Sequence, residues 1–204
     1  PSLVGSEMCI RDRCSVAAAR ALGLTADQIL PALPVLRAPP GRLEPVEDPA
    51  HEVKVFLDYA HTDDALYQVL SAMRPAVPDN AALHVLFGCG GDRDRSKRQR
   101  MARVAATLAD RVMVTSDNPR TEDPEAIIQD ILTGIPESSL AQVDHEVERG
   151  RAIRRAVAIM QKGDVLIVAG KGHEDYQILG THRIAFDDRS HVAAALRDRS
   201  EEGG

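Results

Sequence analysis

Two short stretches of the sequence place acidic, amide and guanidinium side chains directly after apolar runs. Asp117, Asn118 and Arg120 follow the run RVMVTS, and Glu174 follows DVLIVAG within GKGHEDY. Pro119 fixes its own φ and restricts Asn118 to extended geometry, so the tetrapeptide DNPR forms a rigid mount. Arg120 offers a planar fork that suits a carboxylate, and Asn118 offers both a donor and an acceptor.

Groups that bind carboxylates and groups that bind ammonium ions together indicate a ligand that carries both charges, such as an amino acid. Arg93 directly follows the glycines of FGCGGDRDRSKR, and we expect it to point inward as a second carboxylate-binding group. For most of the other basic residues of this stretch, a solvated helix start is a plausible interpretation. An Arg–Glu pair that clamps two loops would have the same sequence, so the residues alone leave both interpretations open.

Two further residues, Asp58 and His61, lie where the apolar run VKVFLDYA gives way to a helical pattern. They are candidates for a ligand site, although a turn-capping carboxylate and a solvated histidine would also fit. The phosphate-binding pattern G-x-x-x-x-G-K-[ST] occurs nowhere in the chain. An enzyme of this kind that uses ATP would therefore take its main triphosphate site from another domain.

The elements that must position these groups follow an α/β pattern. Four short apolar runs, VKVFLDYA, ALHVLFGC, RVMVTS and DVLIVAG, alternate with helix-period segments, which predicts a Rossmann-like, mostly parallel sheet flanked by helices. Ligands of such sheets bind beyond the carboxyl ends of the strands, where all the candidate residues lie. DYQILG and HRIAF predict an antiparallel hairpin added at the sheet edge. The predicted helices span about residues 62–73, 96–108, 124–132, 149–160 and 190–199.

Composition narrows the classes of function. The formal charge of -6 and the absence of Trp argue against a nucleic-acid partner, and no segment is long and apolar enough for a membrane span. The three cysteines have neither metal-site spacing nor an even count. We therefore expect a cytoplasmic globular protein.

The first part of the chain differs from the rest. PSLVGSEMCIRDR has no clear period and resembles translated sequencing-adapter DNA, with an ordinary flexible tail as the alternative. CSVAAARALGLTADQIL predicts an Ala-rich helix with a glycine stop, and PALPVLRAPPGRLEPV predicts a proline-rich connector. The helix has no partner within the chain, so we expect further sequence upstream in the natural protein.

At its four candidate loops the chain resembles the Mur ligases of peptidoglycan synthesis, and within them the members that add meso-diaminopimelate. DYAHTDDAL, FGCGGDRDRSKR, TSDNPRTEDPEAII and VAGKGHEDYQI occur in the order and spacing of the C-terminal domain of that family. The resemblance covers about residues 53–196. Residues 1–13 are set aside as a non-native or disordered leader because of their own sequence. The resemblance implies that residues 14–46 are the tail of the central domain with its hinge and that residues 47–204 are the C-terminal amino-acid-binding domain.

The resemblance implies an amide ligase that depends on ATP and magnesium and activates the D-glutamate carboxylate of UDP-N-acetylmuramoyl-L-alanyl-D-glutamate as an acyl phosphate. The missing central domain would bind most of the ATP and the Mg²⁺, so the chain itself would hold no metal and no catalytic residue and would not catalyse alone. The positions that match the ligand-binding residues of the family for meso-diaminopimelate are Arg93, Asp117, Asn118, Pro119, Arg120, Gly170 and Glu174. Those that match its nucleotide-facing residues are Arg42, Asp58 and His61.

Arg120 also predicts which amino acid is bound. Meso-diaminopimelate differs from lysine by a carboxylate on the far carbon, and lysine would leave the guanidinium unpaired. A site built around such a pairing can reject the analogue that lacks it by roughly 10⁴ or more. Asp63 and Gln99 replace prolines usual in the family, with only local effects expected.

Other interpretations differ in class. Lysine-adding Mur ligases, folylpolyglutamate synthetases and cyanophycin synthetases share the general architecture, but the complete DNPR motif argues against them. An alternative from another functional class is a stand-alone amino-acid-binding module. The last alternative is that the four loops are solvated turns without a ligand site.

Overall fold

The computed structural model describes residues 10–31 and 39–202. Most of the predicted leader and part of the predicted connector lie outside these ranges. The chain forms two compact units, Pro1–Ala38 and Pro39–Gly204.

In its described residues, the first unit contains the helices α1 (Ile10–Ala21) and α2 (Ala26–Ile29). The predicted glycine stop is confirmed, because Gly23 has a φ of +90° and donates its N–H to Arg20 O at 3.0 Å. α1 begins at Ile10, inside the segment set aside as a leader. The Ala-rich segment is therefore two helices, of which the second is a single turn.

The second unit is a three-layer α/β fold around a six-stranded sheet in the order β1-β2-β6-β3-β4-β5. Strands β2 to β6 are parallel, and β1 pairs with β2 in the antiparallel sense. The mostly parallel sheet predicted from the alternating runs is thus confirmed. The strands of this sheet are β1 (Arg42–Val46), β2 (Lys54–Asp58), β3 (Leu83–Phe87), β4 (Arg111–Thr115), β5 (Gln142–Glu146) and β6 (Val165–Ala169).

Helices cover both faces of the sheet, which explains why its central strands are apolar on both sides. All five residues of β3 and all five of β6 are buried. One apolar cluster joins the sheet to α3 (Asp63–Met73), α4 (Ser96–Leu108) and α5 (Pro124–Leu132). The other joins the opposite face to α6 (Arg149–Ala158) and α7 (Asp188–Glu202).

The expected helix starts are confirmed where the sequence carries capping residues. Thr62 Oγ1 accepts from Ala65 N at 3.2 Å, and an Asp123 carboxylate oxygen accepts from Glu125 N at 3.1 Å. The fifth predicted helix, residues 190–199, is longer than expected, because α7 begins at Asp188 and ends at Glu202.

Two strands were missed. Residues 42–46, predicted as connector, form the edge strand β1, which tolerates Pro45 because it pairs on one side only. The bulge between Arg42 and Glu44 and the φ of +48° at Leu43 break the alternation that would have indicated a strand. β5 was missed because its sequence, QVDHE, is largely polar and forms the other edge of the sheet.

The hairpin was predicted correctly, but its place was not. β7 (Tyr176–Leu179) and β8 (His182–Ala185) pair only with each other, in a separate two-stranded sheet. The chain enters the hairpin from β6, which is a central strand with both neighbours already paired. It therefore leaves the sheet above the strand ends, where Leu179 forms a single bridge with Arg120.

The strand order brings the four candidate loops to one edge of the sheet. They follow β2, β3, β4 and β6, which are parallel and adjacent in the order β2-β6-β3-β4. The helix after β2 packs on one face of the sheet, and α7, which follows β6 and the hairpin, packs on the other. Ligands of such folds bind beyond the carboxyl ends of the strands at this change of face.

Candidate functional site

The DNPR tetrapeptide is a buried, braced structure rather than an open loop. Asp117 and Asn118 are 9% and 4% exposed, Pro119 is buried, and Arg120 is half-buried. Gln177 Nε2 donates to Asp117 O at 2.6 Å, and the backbone of Arg120 bonds with the hairpin on both sides. The rigid mount predicted from Pro119 is thus reinforced by contacts that the sequence pattern did not reveal.

Asn118 lies between the hairpin and the loop that carries Glu174. Its Oδ1 accepts from Ile178 N at 2.9 Å, and its Nδ2 donates to Glu174 Oε2 at 3.1 Å. A backbone N–H can only donate, so the contact with Ile178 fixes which end of the amide is oxygen. Asn118 consequently turns a donor toward Glu174 and brings two predicted site residues together.

Lys171 is a site residue that the sequence analysis missed. Its side chain is 0% exposed, and its Nζ lies 3.4 Å from both Glu174 Oε2 and Asn118 Oδ1. The ammonium also lies 5.4 Å from the centre of the Tyr176 ring. A lysine between two glycines after a buried strand was the available signal. Lys171 offsets the charge of Glu174, while Glu174 Oε1 makes no hydrogen bond within the described parts of the chain.

Arg120 adopts a φ of +54°, which is uncommon for a residue with a side chain. Its Nη1 donates to Gly91 O at 2.9 Å and to Asn118 O at 3.3 Å. Its Nε and Nη2 make no hydrogen bond to any residue that the structure describes. One edge of the guanidinium is therefore anchored, and the other is available to a carboxylate.

The glycine loop after β3 makes room for this guanidinium. A Cβ atom on Gly90 would lie 2.9 Å from Arg120 Nη1, and one on Gly91 would lie 1.9 Å from Pro119 O. The close approach expected from the glycines is thus an approach to the tetrapeptide.

Two basic residues of this loop differ from the sequence analysis. Arg93 was expected to point inward, but its side chain is exposed and donates to Asp92 O at 3.0 Å. Arg98 departs from the solvated helix start considered for most of these residues, because it is buried and bonds Glu122 at 2.9 Å and Asp130 at 2.8 Å. Burial lowers the pKa of Arg98, but the bonds to these two carboxylates outweigh this effect. The pKa of Arg98 therefore lies above its usual value. Arg98 is buried because it faces α5 from the first turn of α4.

Asp117 provides an acid that keeps its hydrogen-bonding capacity, although its charge interacts with that of the nearby Arg149. Its carboxylate makes no hydrogen bond or ion pair with any described residue, although the side chain is almost buried. A Cβ on Gly170, which has a φ of +114°, would lie 2.8 Å from Asp117 Oδ2. Gly170 and Asp117 thus face each other from the ends of β6 and β4.

A fully buried ion pair lies beneath these strand ends, and neither partner was predicted. Arg149 bonds Asp188 at 2.7 and 2.8 Å and also donates to Ala169 O at 3.0 Å and Ser116 O at 3.5 Å. These carbonyls directly precede Gly170 and Asp117. Burial lowers the pKa of Arg149, but the Asp188 carboxylate outweighs it, so the pKa is raised. Arg149 therefore ties β4 to β6 below the site.

The three residues expected to face a nucleotide lie near the carboxyl end of β2. The Arg42 guanidinium stacks over the Tyr59 ring at 4.9 Å, and the His61 ring meets the same ring edge-on at 4.7 Å. His173, from the loop after β6, lies 5.8 Å from Tyr59. Asp58 differs, because its carboxylate accepts from Leu43 N and Ala60 N, both at 2.9 Å, and so orders the turn.

The predicted site residues therefore fall into two groups. The first surrounds the tetrapeptide and contains Asp117, Asn118, Pro119, Arg120, Gly170 and Glu174, with Arg93 exposed at its border. The second surrounds Tyr59. The loop Gly170–Asp175 contributes to both groups, through Glu174 and His173.

The described residues contain neither a cluster of possible metal ligands nor a membrane-spanning helix. No three His, Cys, Asp or Glu residues lie together as possible metal ligands in residues 10–31 and 39–202. Over the same ranges, no helix is long and apolar enough to cross a membrane.

Comparison with known proteins gives consistent matches. The family model described as Mur ligase, glutamate ligase domain, matches residues 41–172. The UDP-N-acetylmuramoyl-L-alanyl-D-glutamate:2,6-diaminopimelate ligase of Trichormus variabilis is 51% identical over 188 residues, which is 92% of this chain and 37% of the relative. That of Thermosynechococcus vestitus is 48% identical over 201 residues, which is 98% of this chain and 40% of the relative. The chain thus spans about two fifths of the length of these relatives.

Solved structures agree with these matches. A structure of a UDP-N-acetylmuramoyl-L-alanyl-D-glutamate:2,6-diaminopimelate ligase superposes with a TM-score of 0.73 and 39% identity, over 90% of this chain and 37% of that one. The UDP-N-acetylmuramate-alanine ligase MurC of Thermotoga maritima superposes with a TM-score of 0.57 at 20% identity, over 93% of this chain and 36% of its own, which supports the fold alone.

Proposed function

The chain belongs to the Mur ligase family, and from that premise we propose that it is the amino-acid-binding domain of an ATP-dependent ligase that adds meso-diaminopimelate to UDP-N-acetylmuramoyl-L-alanyl-D-glutamate. The relatives named for this reaction are longer than the chain, so the proposal concerns the complete ligase. The domain would bind and orient the incoming amino acid, in the cytoplasm.

The observation that carries the proposal is the pair of unsatisfied groups on one rigid tetrapeptide. Asp117 presents a carboxylate without a hydrogen-bond partner in the described structure, and Arg120 presents the free Nε–Nη2 edge of its guanidinium. One is anionic and the other cationic, and both belong to a backbone that Pro119 and the hairpin hold in place. An amino acid supplies the complementary charges.

Each remaining residue of the site has a proposed part. Glu174 would share the ammonium through its free Oε1, and Asn118 would orient the ligand by hydrogen bonding. Gly170 would allow the ligand close to the backbone, since a side chain there would meet Asp117. Arg93, exposed beside Gly90, would add a second cation for a carboxylate by turning toward the ligand.

Selectivity for meso-diaminopimelate over lysine would follow from Arg120. Its anchored Nη1 keeps the guanidinium in one position, so the free edge is already oriented for the far carboxylate. Lysine has an ammonium but no second carboxylate and would leave that edge unpaired. A lysine-adding ligase remains the second candidate only if both amino acids bind equally.

The residues around Tyr59 fit part of a nucleotide. Arg42, His61 and His173 present cationic and N–H groups beside an aromatic ring, which suits a base and phosphate oxygens. Asp58 does not fit, because its carboxylate already orders the turn. ATP, when bound, would supply the phosphoryl group that activates the acceptor carboxylate. Mg²⁺, which accompanies the triphosphate, would be held with it mainly by the central domain of the complete ligase, since the phosphate-binding loop does not occur in this sequence.

Within this scheme the domain acts on the amine. Asp117 and Glu174 would hold the ammonium, and Arg120 and Arg93 would hold the carboxylates, which fixes the direction in which the amine points. Correct orientation of two reactants is a large part of the catalysis of such bimolecular steps. We expect the isolated chain to bind the amino acid and not to catalyse ligation, because the sequence has no phosphate-binding loop.

A titration of the chain with meso-diaminopimelate, followed by backbone amide NMR up to millimolar ligand, tests the proposal. We expect shifts at Arg93, Asn118, Arg120 and Glu174. The ion pair of Arg74 and Asp110, beside the amino end of β4, is the internal control and should not shift. Saturable shifts confined to other surfaces, or none, would contradict the proposed function.

A further inference from the structure

The β7–β8 hairpin contacts the DNPR tetrapeptide at each residue except the proline. Gln177 Nε2 donates to Asp117 O at 2.6 Å and Ile178 N to Asn118 Oδ1 at 2.9 Å, while Arg120 N donates to Ile178 O at 3.1 Å and Gly180 N to Arg120 O at 2.7 Å. The hairpin is therefore the main support of the tetrapeptide on the side away from the sheet.

These contacts hold Arg120 in its unusual conformation. A positive φ brings the Cβ close to the backbone and is unfavourable for an arginine unless the surroundings enforce it. Both backbone groups of Arg120 bond to the hairpin, so this conformation is enforced there. Because φ sets the direction of the Cα–Cβ bond, the hairpin also sets where the guanidinium points.

The hairpin has little other structural role. Neither apolar core cluster of the described residues includes a residue of β7 or β8, and all four residues of β8 are exposed. Gln177 is nevertheless 6% exposed, and its side-chain amide makes one hydrogen bond among the described residues, to Asp117 O. A buried amide with this single partner is explained by what it holds rather than by core packing.

We propose that the β7–β8 hairpin is a specificity-determining element and that Gln177 is its positioning residue. Gln177 holds the carbonyl of Asp117, and through the next two residues it keeps Asn118 and Arg120 oriented for a ligand with a carboxylate at its far end. This inference rests on the proposed function, since it assigns the support on which discrimination between meso-diaminopimelate and lysine depends.

The test measures affinity for both amino acids by isothermal titration calorimetry in matched variants. Gln177→Met keeps the length of the side chain and removes the donor. Its control is His182→Gln, a change at an exposed position of the same hairpin. We expect Gln177→Met to reduce the preference for meso-diaminopimelate by about tenfold, the loss of one well-placed hydrogen bond, with a lowered melting temperature because Asp117 O loses its buried donor. His182→Gln should keep the preference.

A second pair of variants keeps the test valid if Gln177→Met folds poorly. Gly180 has a φ of +61°, and a Cβ there would meet no atom within 4 Å. Gly180→Ala therefore strains the turn without a clash, whereas Gly180→Asn introduces a residue that tolerates this conformation. We expect the alanine variant to lose preference and the asparagine variant to keep it.

The outcomes separate the two proposals. Unchanged preference in both Gln177→Met and Gly180→Ala would overturn the hairpin inference alone. No binding of either amino acid by the unmodified chain would overturn the proposed function and this inference with it. Loss of preference in those two variants, with preference kept in the two controls, would establish the hairpin as the support of specificity.

Discussion

Arg149 and Asp188 form a fully buried ion pair directly below the site, with Nη2 2.7 Å and Nε 2.8 Å from the two carboxylate oxygens. The same guanidinium bonds the carbonyls of Ser116 and Ala169, which precede Asp117 and Gly170. The pair therefore couples the stability of the domain to the separation of the two strands that carry the site.

Asp188→Ala should destabilise the chain by about 3–5 kcal/mol, because it leaves a buried guanidinium without its charge partner. The free energy of unfolding from urea titration checks this. Asp175→Ala, which breaks the exposed pair with Arg183, is the control and should change stability by less than about 1 kcal/mol. Equal effects of the two changes would mean that the buried pair does not support the strand ends.

The lowered pKa of the buried His84 side chain predicts that the stability of the folded chain depends on pH. Burial lowers the pKa of His84 below its usual 6.5, although Asp164, 2.8 Å away, opposes this shift. The unfolded chain then binds a proton more readily than the folded chain. The contribution of His84 is fully present above pH 6.5 and is lost as the pH falls from 6.5 toward the lower folded-state pKa.

Urea titrations between pH 5 and 7.5 measure this contribution. His84→Gln should be less stable at pH 7.5 and should show a shallower loss of stability below pH 6.5, with His182→Gln as the control for removal of a histidine. An identical slope in His84→Gln and the unmodified chain would contradict the prediction.

Cys89 should be inert in the folded chain. Burial raises the pKa of its thiol to about 12, so the reactive thiolate is scarce at pH 8. Iodoacetamide at pH 8, followed by peptide mass spectrometry, should leave Cys89 unmodified in buffer and alkylate it in urea. Rapid alkylation in buffer would show that the core around Cys89 opens.

Two neighbouring glycines should respond differently to alanine. A Cβ on Gly91 would meet the backbone oxygen of Pro119 at 1.9 Å, whereas one on Gly90 would first meet the Arg120 side chain, which can move. Gly91→Ala should therefore destabilise by about 1–3 kcal/mol, and Gly90→Ala by less while still weakening meso-diaminopimelate binding. Thermal melts and calorimetry distinguish the two, and a greater loss of stability in Gly90→Ala would contradict this geometry.

Much of the fold could be predicted from local patterns. β3, β4 and β6 are apolar runs bounded by polar turns, and Thr62 and Asp123 mark helix starts, so their elements followed from periodicity and capping. β1 and β5 could not be predicted, because these edge strands are only partly buried and therefore lack the continuous apolar run of a central strand. The place of the hairpin depended on which strand is central, which is a property of the whole sheet.

The site was predictable to the extent that its residues follow strands. Asp117, Asn118 and Arg120 were recognised because polar residues after a buried strand indicate a ligand edge. The inward orientation predicted for Arg93 was wrong, and the buried position of Arg98 was missed. The sequence does not show which way each arginine of this stretch faces. Gln177 and Arg149 act through contacts with residues far along the chain, and no local pattern marks them. Lys171 did carry a local signal, because it lies between two glycines after a buried strand.

The central claim is that Arg120 binds the far carboxylate of meso-diaminopimelate and thereby distinguishes it from lysine. Calorimetry with meso-diaminopimelate and with L-lysine tests it most directly. The measurement compares the unmodified chain, Arg120→Gln and the control Arg103→Gln, a change at an exposed position of α4. We predict that the unmodified chain and Arg103→Gln bind meso-diaminopimelate at least about tenfold more tightly than lysine, and that Arg120→Gln abolishes this difference. Equal affinities in the unmodified chain, or a preference that persists in Arg120→Gln, would contradict the account.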